Sequence, residues 1–97
     1  MKYKYGNLLL YTIVVLHLKN DQVTRIEFIE FLKVFRKDLE ENKSNWENRT
    51  LEDFLEAMEA YTEDVQGFYD NMKMNIDADE PTWENFKTIL KGASIYE

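Results

Sequence analysis

One stretch of the chain, residues 51–72, limits the choice of fold more than any other. Its apolar residues recur at spacings of three and four, which is the period of an α-helix and not that of a strand. They are Leu51, Phe54, Leu55, Met58, Tyr61, Val65, Phe68 and Met72. Thr50 and Asp53 stand at the start, where a threonine hydroxyl can accept the amide hydrogen of the third helical residue. The pattern therefore predicts a helix with an apolar core stripe that begins near Thr50.

A second helix is predicted near Thr24, because Thr24 and Glu27 have the spacing of a capping box. Its apolar positions are Ile26, Ile29, Leu32, Phe35 and Leu39, with Phe28, Phe31 and Val34 widening the stripe. So broad an apolar surface predicts burial on more than one side of this helix.

A third helix is predicted to open at Glu80-Pro81, since proline is tolerated in a first helical turn. Its stripe consists of Trp83, Phe86, Ile89, Leu90 and Ala93. The 97 residues suit one domain, and three glycines with one proline are too few for an all-β chain. The predicted fold is all-α, a small three-helix bundle-like domain over residues 21–97 with an extra apolar segment, helix or strand, at residues 1–20.

That N-terminal segment has three interpretations. Its apolar run from Leu8 to Leu18 is eleven residues long, whereas a membrane span needs about twenty. It could lie on the core as a short helix or strand, act as a weak membrane-directing peptide, or precede the natural start of the domain. Membrane association through residues 1–18 is therefore the least favoured of the functional hypotheses.

The net charge of −7 is unevenly distributed. Residues 44–97 contain four basic and thirteen acidic side chains, a sum of −9, and the rest of the chain is slightly basic. An acidic surface repels phosphate backbones, so nucleic-acid binding is not expected. It would suit a basic protein partner, although solubility alone also explains such a charge.

The acidic side chains of the helix predicted to begin near Thr50, which is the central one of the three, do not form a catalytic pattern. Glu52, Glu56, Glu59 and Glu63 step by four, three and four, which places them on one face opposite the apolar stripe. A catalytic carboxylate usually needs burial or a close like charge to raise its pKa. With no cysteine and a single histidine, His17, outside any Glu-x-x-His motif, we predict no catalytic residue, no metal and no cofactor.

Aromatic residues and one glycine raise a separate question. Trp83, Phe68 and Tyr61 are predicted to be core residues, whereas Trp46 and Tyr69 could equally be core or interface anchors. Gly67 lies inside the central helix, where it costs about 0.5–1 kcal/mol relative to alanine. Close approach of another helix is the favoured reason for it, with a local kink as the alternative.

Two segments carry a resemblance to a known family. The first is "WENRTLEDFLEAMEAYTEDVQGFYDN" and the second "PTWENFKTILKGASIYE". The chain resembles a family of small acidic bacterial proteins known as a domain of unknown function, over roughly residues 23–97. Its recurrent features are a W-x-N-x-T-L-x-x-F-L-E-A opening, a D-x-x-G-[FY]-[FY] segment and a P-[ST]-W-x-x-F close ending in A-x-I-Y-E. The resemblance implies a compact helical domain and brings no activity to carry over.

The leading functional hypothesis is a non-enzymatic, cytoplasmic protein that acts by protein–protein contact, with an immunity- or inhibitor-type protein for a basic partner as its concrete version. The predicted partner-binding residues are Trp46, Glu52, Glu56, Glu59, Glu63 and Tyr69. The alternative is a small-molecule or enzyme-like pocket walled by Trp83, Tyr69 and Tyr96, with Asp64 or Glu97 as its polar group. The sequence leaves the oligomeric state open.

Overall fold

The computed structural model describes residues 23–97. These residues form three α-helices: α1 (Arg25–Glu41), α2 (Leu51–Asn71) and α3 (Trp83–Ile95). A short 3₁₀ turn, Lys43–Asn45, lies between α1 and α2. For this part of the chain the all-helical, three-helix prediction is confirmed. The predictions for the N-terminal segment, for its membrane role and for His17 concern residues outside the described range.

Both predicted threonine caps are confirmed. At α1 the Oγ1 atom of Thr24 accepts the Glu27 amide at 3.1 Å, and Glu27 Oε1 accepts the Thr24 amide at 2.9 Å. This reciprocal pair is a capping box, which satisfies two amide groups that would otherwise lack partners at the helix start. At α2 the Oγ1 atom of Thr50 accepts the Asp53 amide at 3.1 Å.

The predicted start of α3 is wrong by two residues. Thr82 is the cap, and its Oγ1 atom accepts the Asn85 amide at 3.1 Å. Pro81 precedes the helix instead of opening it, because the threonine hydroxyl supplies the acceptor that this helix end needs. The Asn85 side chain fixes the same turn by donating to the Glu80 carbonyl at 2.7 Å and the Asp77 carbonyl at 3.0 Å.

The main core lies between α2 and α3. Tyr61 and Tyr69 are fully buried in it, and Ala93 of α3 is fully buried as well. The predicted core positions Tyr61 and Phe68 are confirmed, but Trp83 keeps 37% of its surface exposed. Trp83 is the first residue of α3, where the ring of Phe28 packs against it with centroids 5.2 Å apart.

The predicted core stripe of α2 is buried only in its middle. Leu51 is 70% exposed, Leu55 is 52% exposed and Met72 is 39% exposed. At about 100° per residue, Leu51 and Leu55 lie toward the edge of the stripe, away from the centre of the face that packs on α3, where Tyr61 and Val65 are buried.

Helix α1 is less buried than its sequence predicts. Phe31 is its one buried residue, and Ile26 and Val34 are 66% and 69% exposed. The expectation of burial on more than one side is therefore wrong for α1 in the described part of the chain. Helix α1 packs against α3. It contacts α2 through Phe35, whose ring centroid lies 6.4 Å from that of Phe54.

The close helix approach predicted at Gly67 occurs at Gly92 instead. A Cβ atom placed on Gly67 would have nothing within 4 Å, whereas one placed on Gly92 would overlap the ring of Tyr61. Gly92 therefore allows α3 to lie directly against the Tyr61 ring. The role of Gly67 has no explanation in the contacts around it.

Replacing these two glycines with alanine should have opposite effects on stability. Gly67→Ala should raise the free energy of unfolding by about 0.5–1 kcal/mol, because alanine is the better helix former and meets no obstacle. Gly92→Ala should lower it by about 1–3 kcal/mol, because the added methyl overpacks the core against Tyr61. Urea unfolding measures both, with Gly67→Ala as the matched control. A Gly92→Ala protein as stable as the wild type would contradict the close-approach assignment.

Candidate functional site: two grooves beside α1

Two open grooves flank α1, one on each side. The first, the α1–α2 groove, has a volume of about 580 Å³ and lies between α1, residues 46–50 and the first turn of α2. Its apolar wall is formed by Ile29, Leu32, Phe35, Leu39, Leu51 and Phe54. The charged residues that line it are Lys33, Arg36 and Arg49, with no carboxylate among its lining residues. It therefore combines an apolar wall with positive charge in a protein whose net charge is negative.

Trp46, a predicted partner-binding residue, lies among the lining residues of this groove but is only 5% exposed. Its ring packs against Phe35 and Phe54 with centroids 4.7 and 6.2 Å away. Its Nε1 atom donates to Asp38 Oδ2 at 2.7 Å. The residue thus joins α1 to the start of α2, and its placement gives it a structural role.

Asn48, which the sequence analysis did not single out as functional, fixes the loop that ends this groove. Its Nδ2 atom donates to the carbonyls of Ala93 and Tyr96 at 2.9 and 2.8 Å. The backbone amides of Glu47 and Asn48 both donate to the Ser94 carbonyl, at 3.0 and 3.2 Å. These bonds satisfy carbonyls at the C-terminus of α3, where the helix itself supplies no donors. In the sequence, Asn48 is the asparagine of the W-x-N motif, and this motif was the one signal that could have indicated its role.

The four predicted glutamates, Glu52, Glu56, Glu59 and Glu63, are all exposed on α2, and we call them the acidic ridge. At about 100° per residue, the exposed Leu51 and Leu55 lie between this ridge and the buried face of the helix. The ridge therefore borders the apolar wall of the α1–α2 groove on the α2 side.

Tyr69, the remaining predicted partner-binding residue, is fully buried. Its hydroxyl donates to Asn85 Oδ1 at 2.6 Å, and burial raises its pKa above the usual value. Asn85 was missed by the sequence analysis, although it joins Tyr69 to the turn before α3. Tyr69 thus holds core elements together and offers no surface to a partner in this conformation.

Two of the aromatic residues of the alternative pocket, Tyr69 and Tyr96, are buried. The Tyr96 hydroxyl donates to Asp64 Oδ2, and the Tyr96 ring meets the edge of Tyr61 with centroids 5.2 Å apart. Trp83, Tyr69, Tyr96, Asp64 and Glu97 are absent from the lining of both grooves beside α1. The structure does not bring these residues together around either groove.

The second groove, the α1–α3 groove, lies on the other flank of α1 and has a volume of about 670 Å³. The Nζ atoms of Lys87 and Lys91 lie 5.5 and 5.8 Å from the centre of the Phe31 ring. Burial lowers the pKa of both lysines, and the charge of Lys87 lowers that of Lys91 further. Glu27, Glu30 and Asp38 line the same groove, so its positive charge is balanced by carboxylates.

Metal-binding clusters and membrane-spanning helices have characteristic patterns, which residues 23–97 lack. Within this range no cluster of three or more histidine, cysteine, aspartate or glutamate side chains has an arrangement that could hold a metal ion. Nor is any helix of the same range long and apolar enough to cross a membrane.

Comparison with known proteins assigns the chain to a family by sequence. A family model described as a family of unknown function, DUF7660, matches residues 24–97. This match confirms the predicted resemblance to a family of unknown function over nearly the same residues. No curated protein and no solved structure matches the chain.

Replacing a partly buried lysine of the α1–α3 groove should stabilise the fold, and the size of this effect should depend on pH. Lys91 has a folded-state pKa below its ordinary value of 10.5, so the unfolded chain binds more protons between these two values. Stability therefore rises with pH across that range. Lys91→Met should raise the free energy of unfolding at pH 7, because it removes the cost of burying the ammonium charge, and solvent screening keeps the gain small.

The gain from Lys91→Met should shrink as the pH approaches 10.5, which urea unfolding over a pH series would measure. Lys37→Met is the matched control, because the Lys37 side chain is 70% exposed and only pairs loosely with Glu41 at 3.9 Å. An equal gain from both variants, or a gain independent of pH, would contradict the burial of Lys91 as the cause.

Proposed function

The chain belongs to the DUF7660 family, a family of unknown function, and we propose that it acts as a non-enzymatic protein–protein interaction module. The observation that supports this most strongly is the α1–α2 groove, with six apolar side chains along an open surface cleft. Burying such side chains against a partner is favourable because apolar surface leaves water. Large exposed apolar patches on soluble proteins commonly mark interaction sites.

The shape of the groove favours a helical or extended segment of a partner as the bound element. An amphipathic helix binds such a groove by placing its apolar face inside and keeping its polar face in water. Leu32 and Leu51 are 40% and 70% exposed on opposite sides of the groove, so both have surface left to bury. The loop that ends the groove is held by the hydrogen bonds of Asn48. Because this loop is already ordered, binding loses less conformational entropy.

The more specific version of the proposal is an immunity- or inhibitor-type protein that covers a basic surface in the cytoplasm. Its support is the acidic ridge beside the groove and the net charge of −7. Such a ridge would act mainly on the rate of association, since complementary potentials guide partners together before contact. The buried Trp46 and Tyr69 then serve by holding the surface in place.

Removing apolar surface from the groove should abolish partner binding. Affinity purification from the native host would compare the wild-type chain with a Leu32→Gln, Leu51→Gln variant, which keeps the net charge unchanged. Proteins held by the groove should be lost from this variant, because polar side chains no longer gain from burial.

The matched control for this purification is an Ile26→Gln, Val34→Gln variant, which alters exposed apolar residues on the other flank of α1. It should retain the same proteins as the wild type. Identical sets of captured proteins for all three chains, with untagged copies of this chain counted among them, would contradict a role for the groove, as would capture of none.

Neutralising the acidic ridge tests the basic-partner version separately. With a partner identified, Glu52→Gln, Glu56→Gln, Glu59→Gln and Glu63→Gln together should slow association about tenfold or more at low salt and flatten its salt dependence. Stopped-flow association rates at several salt concentrations measure this. An unchanged rate would remove the basic-partner version and leave the groove proposal standing.

A further inference from the structure

The helix surfaces that flank the α1–α2 groove carry opposite charges, although the residues that line the groove itself include no carboxylate. On the α1 side, Lys33 and Arg36 line the groove, and we call these two residues the basic rim. Lys33 forms an ion pair with Glu30 at 3.3 Å, but both side chains are about two-thirds exposed, at 64% and 65%, and such pairs contribute little. The basic rim is therefore available to a partner's carboxylates.

On the α2 side, the acidic ridge begins at Glu52 and continues along the helix. Between rim and ridge lies an exposed apolar strip formed by Leu32 of α1 and by Leu51 and Leu55 of α2. Their exposed fractions are 40%, 70% and 52%. From one side to the other, the surface thus carries basic, apolar and acidic residues, and Arg49 adds a positive charge in the loop before α2.

A surface with this order of charges is complementary to itself. A two-fold axis that lies in the interface and runs along the groove places the α1 side of one copy opposite the α2 side of the other. Each basic rim then faces an acidic ridge, twice in the same interface, and the two apolar strips meet between them. An axis at right angles to the groove would instead set rim against rim, which like charges disfavour.

We propose that the α1–α2 groove binds a second copy of this chain, with the basic rim of each copy against the acidic ridge of the other. This rests on the groove being a protein-interaction surface, as proposed above, and it names the partner. A second copy fits better than a uniformly basic partner, because a basic segment would bring no carboxylate to Lys33, Arg36 and Arg49. A second copy brings the carboxylates of its acidic ridge to Lys33 and Arg36.

The net charge of −7 on each copy does not oppose this pairing strongly. At physiological ionic strength, charges more than about 8 Å apart are largely screened. The charges of rim and ridge would meet at contact distance, where screening is weakest. Local complementarity therefore outweighs the repulsion between the two molecules as wholes.

Exchange of charges between rim and ridge tests the pairing. The full chain is studied by analytical ultracentrifugation from about 1 to about 300 μM, a range that covers micromolar dissociation constants. The rim variant carries Lys33→Glu and Arg36→Glu, and the ridge variant carries Glu52→Lys and Glu56→Lys. Each variant alone sets like charges face to face, so each should dimerise about tenfold or more weakly than the wild type.

A mixture of the two variants restores every opposite-charge contact, because the reversed rim of one faces the reversed ridge of the other. The mixture should therefore form a heterodimer, which a mass tag on one variant identifies. This recovery separates a loss of pairing from a loss of folding, and circular dichroism checks the folding directly. A charge-reversed control far from the groove, Lys73→Glu with Asp79→Lys, should dimerise as the wild type does.

Three results would overturn the proposal: a wild-type chain that stays monomeric over the whole range, variants that dimerise as well as the wild type, or a mixture that forms no heterodimer. A monomeric chain whose groove still captures another protein in the purification above would overturn self-association and leave the proposed function intact. A monomeric chain with no groove-dependent capture would remove both.

Discussion

The contact between Tyr61 and Gly92 is the constraint on which the rest of the structure depends. Tyr61 is fully buried, and its ring occupies the space that a side chain at residue 92 would need. Helix α3 can therefore lie directly against α2, which buries Val65, Tyr69 and Ala93 in the same core. Helix α1 and the loop before α2 are then both built on α3, so their positions follow from this one approach.

The loop before α2 shows how the core is connected to the surface. Asn48 and the backbone amides beside it bond to carbonyls near the end of α3, while Trp46 packs under α1 and bonds to Asp38. These two residues hold the end of α1 near the start of α2 without packing the two helices along their lengths. The space left between them is the α1–α2 groove, and the proposed interaction surface is thus a consequence of how the loop is anchored.

The charges of the groove change what the acidic composition implies. In the sequence alone, thirteen of the seventeen charged side chains in residues 44–97 are acidic, which suits a basic partner but is also explained by solubility. In the folded protein, however, the charged residues lining the groove are basic, and the acidic ridge begins only beyond the apolar wall. A partner must therefore match a surface with two signs of charge. This requirement leads to a second copy of the chain, in which both signs are present in the complementary order.

Local patterns in the sequence determined the helices and two of their caps, since periodicity and a capping threonine act within a few residues of one another. They also determined that the four glutamates of the ridge are exposed, because those residues share one helix face. The tertiary structure alone decided that Gly92 and not Gly67 is the point of close approach, and that Trp46 and Tyr69 are buried. It also decided that α1 keeps much of its apolar surface exposed. These outcomes depend on which helices pack together and on where they touch, and neither property is encoded within a single helix.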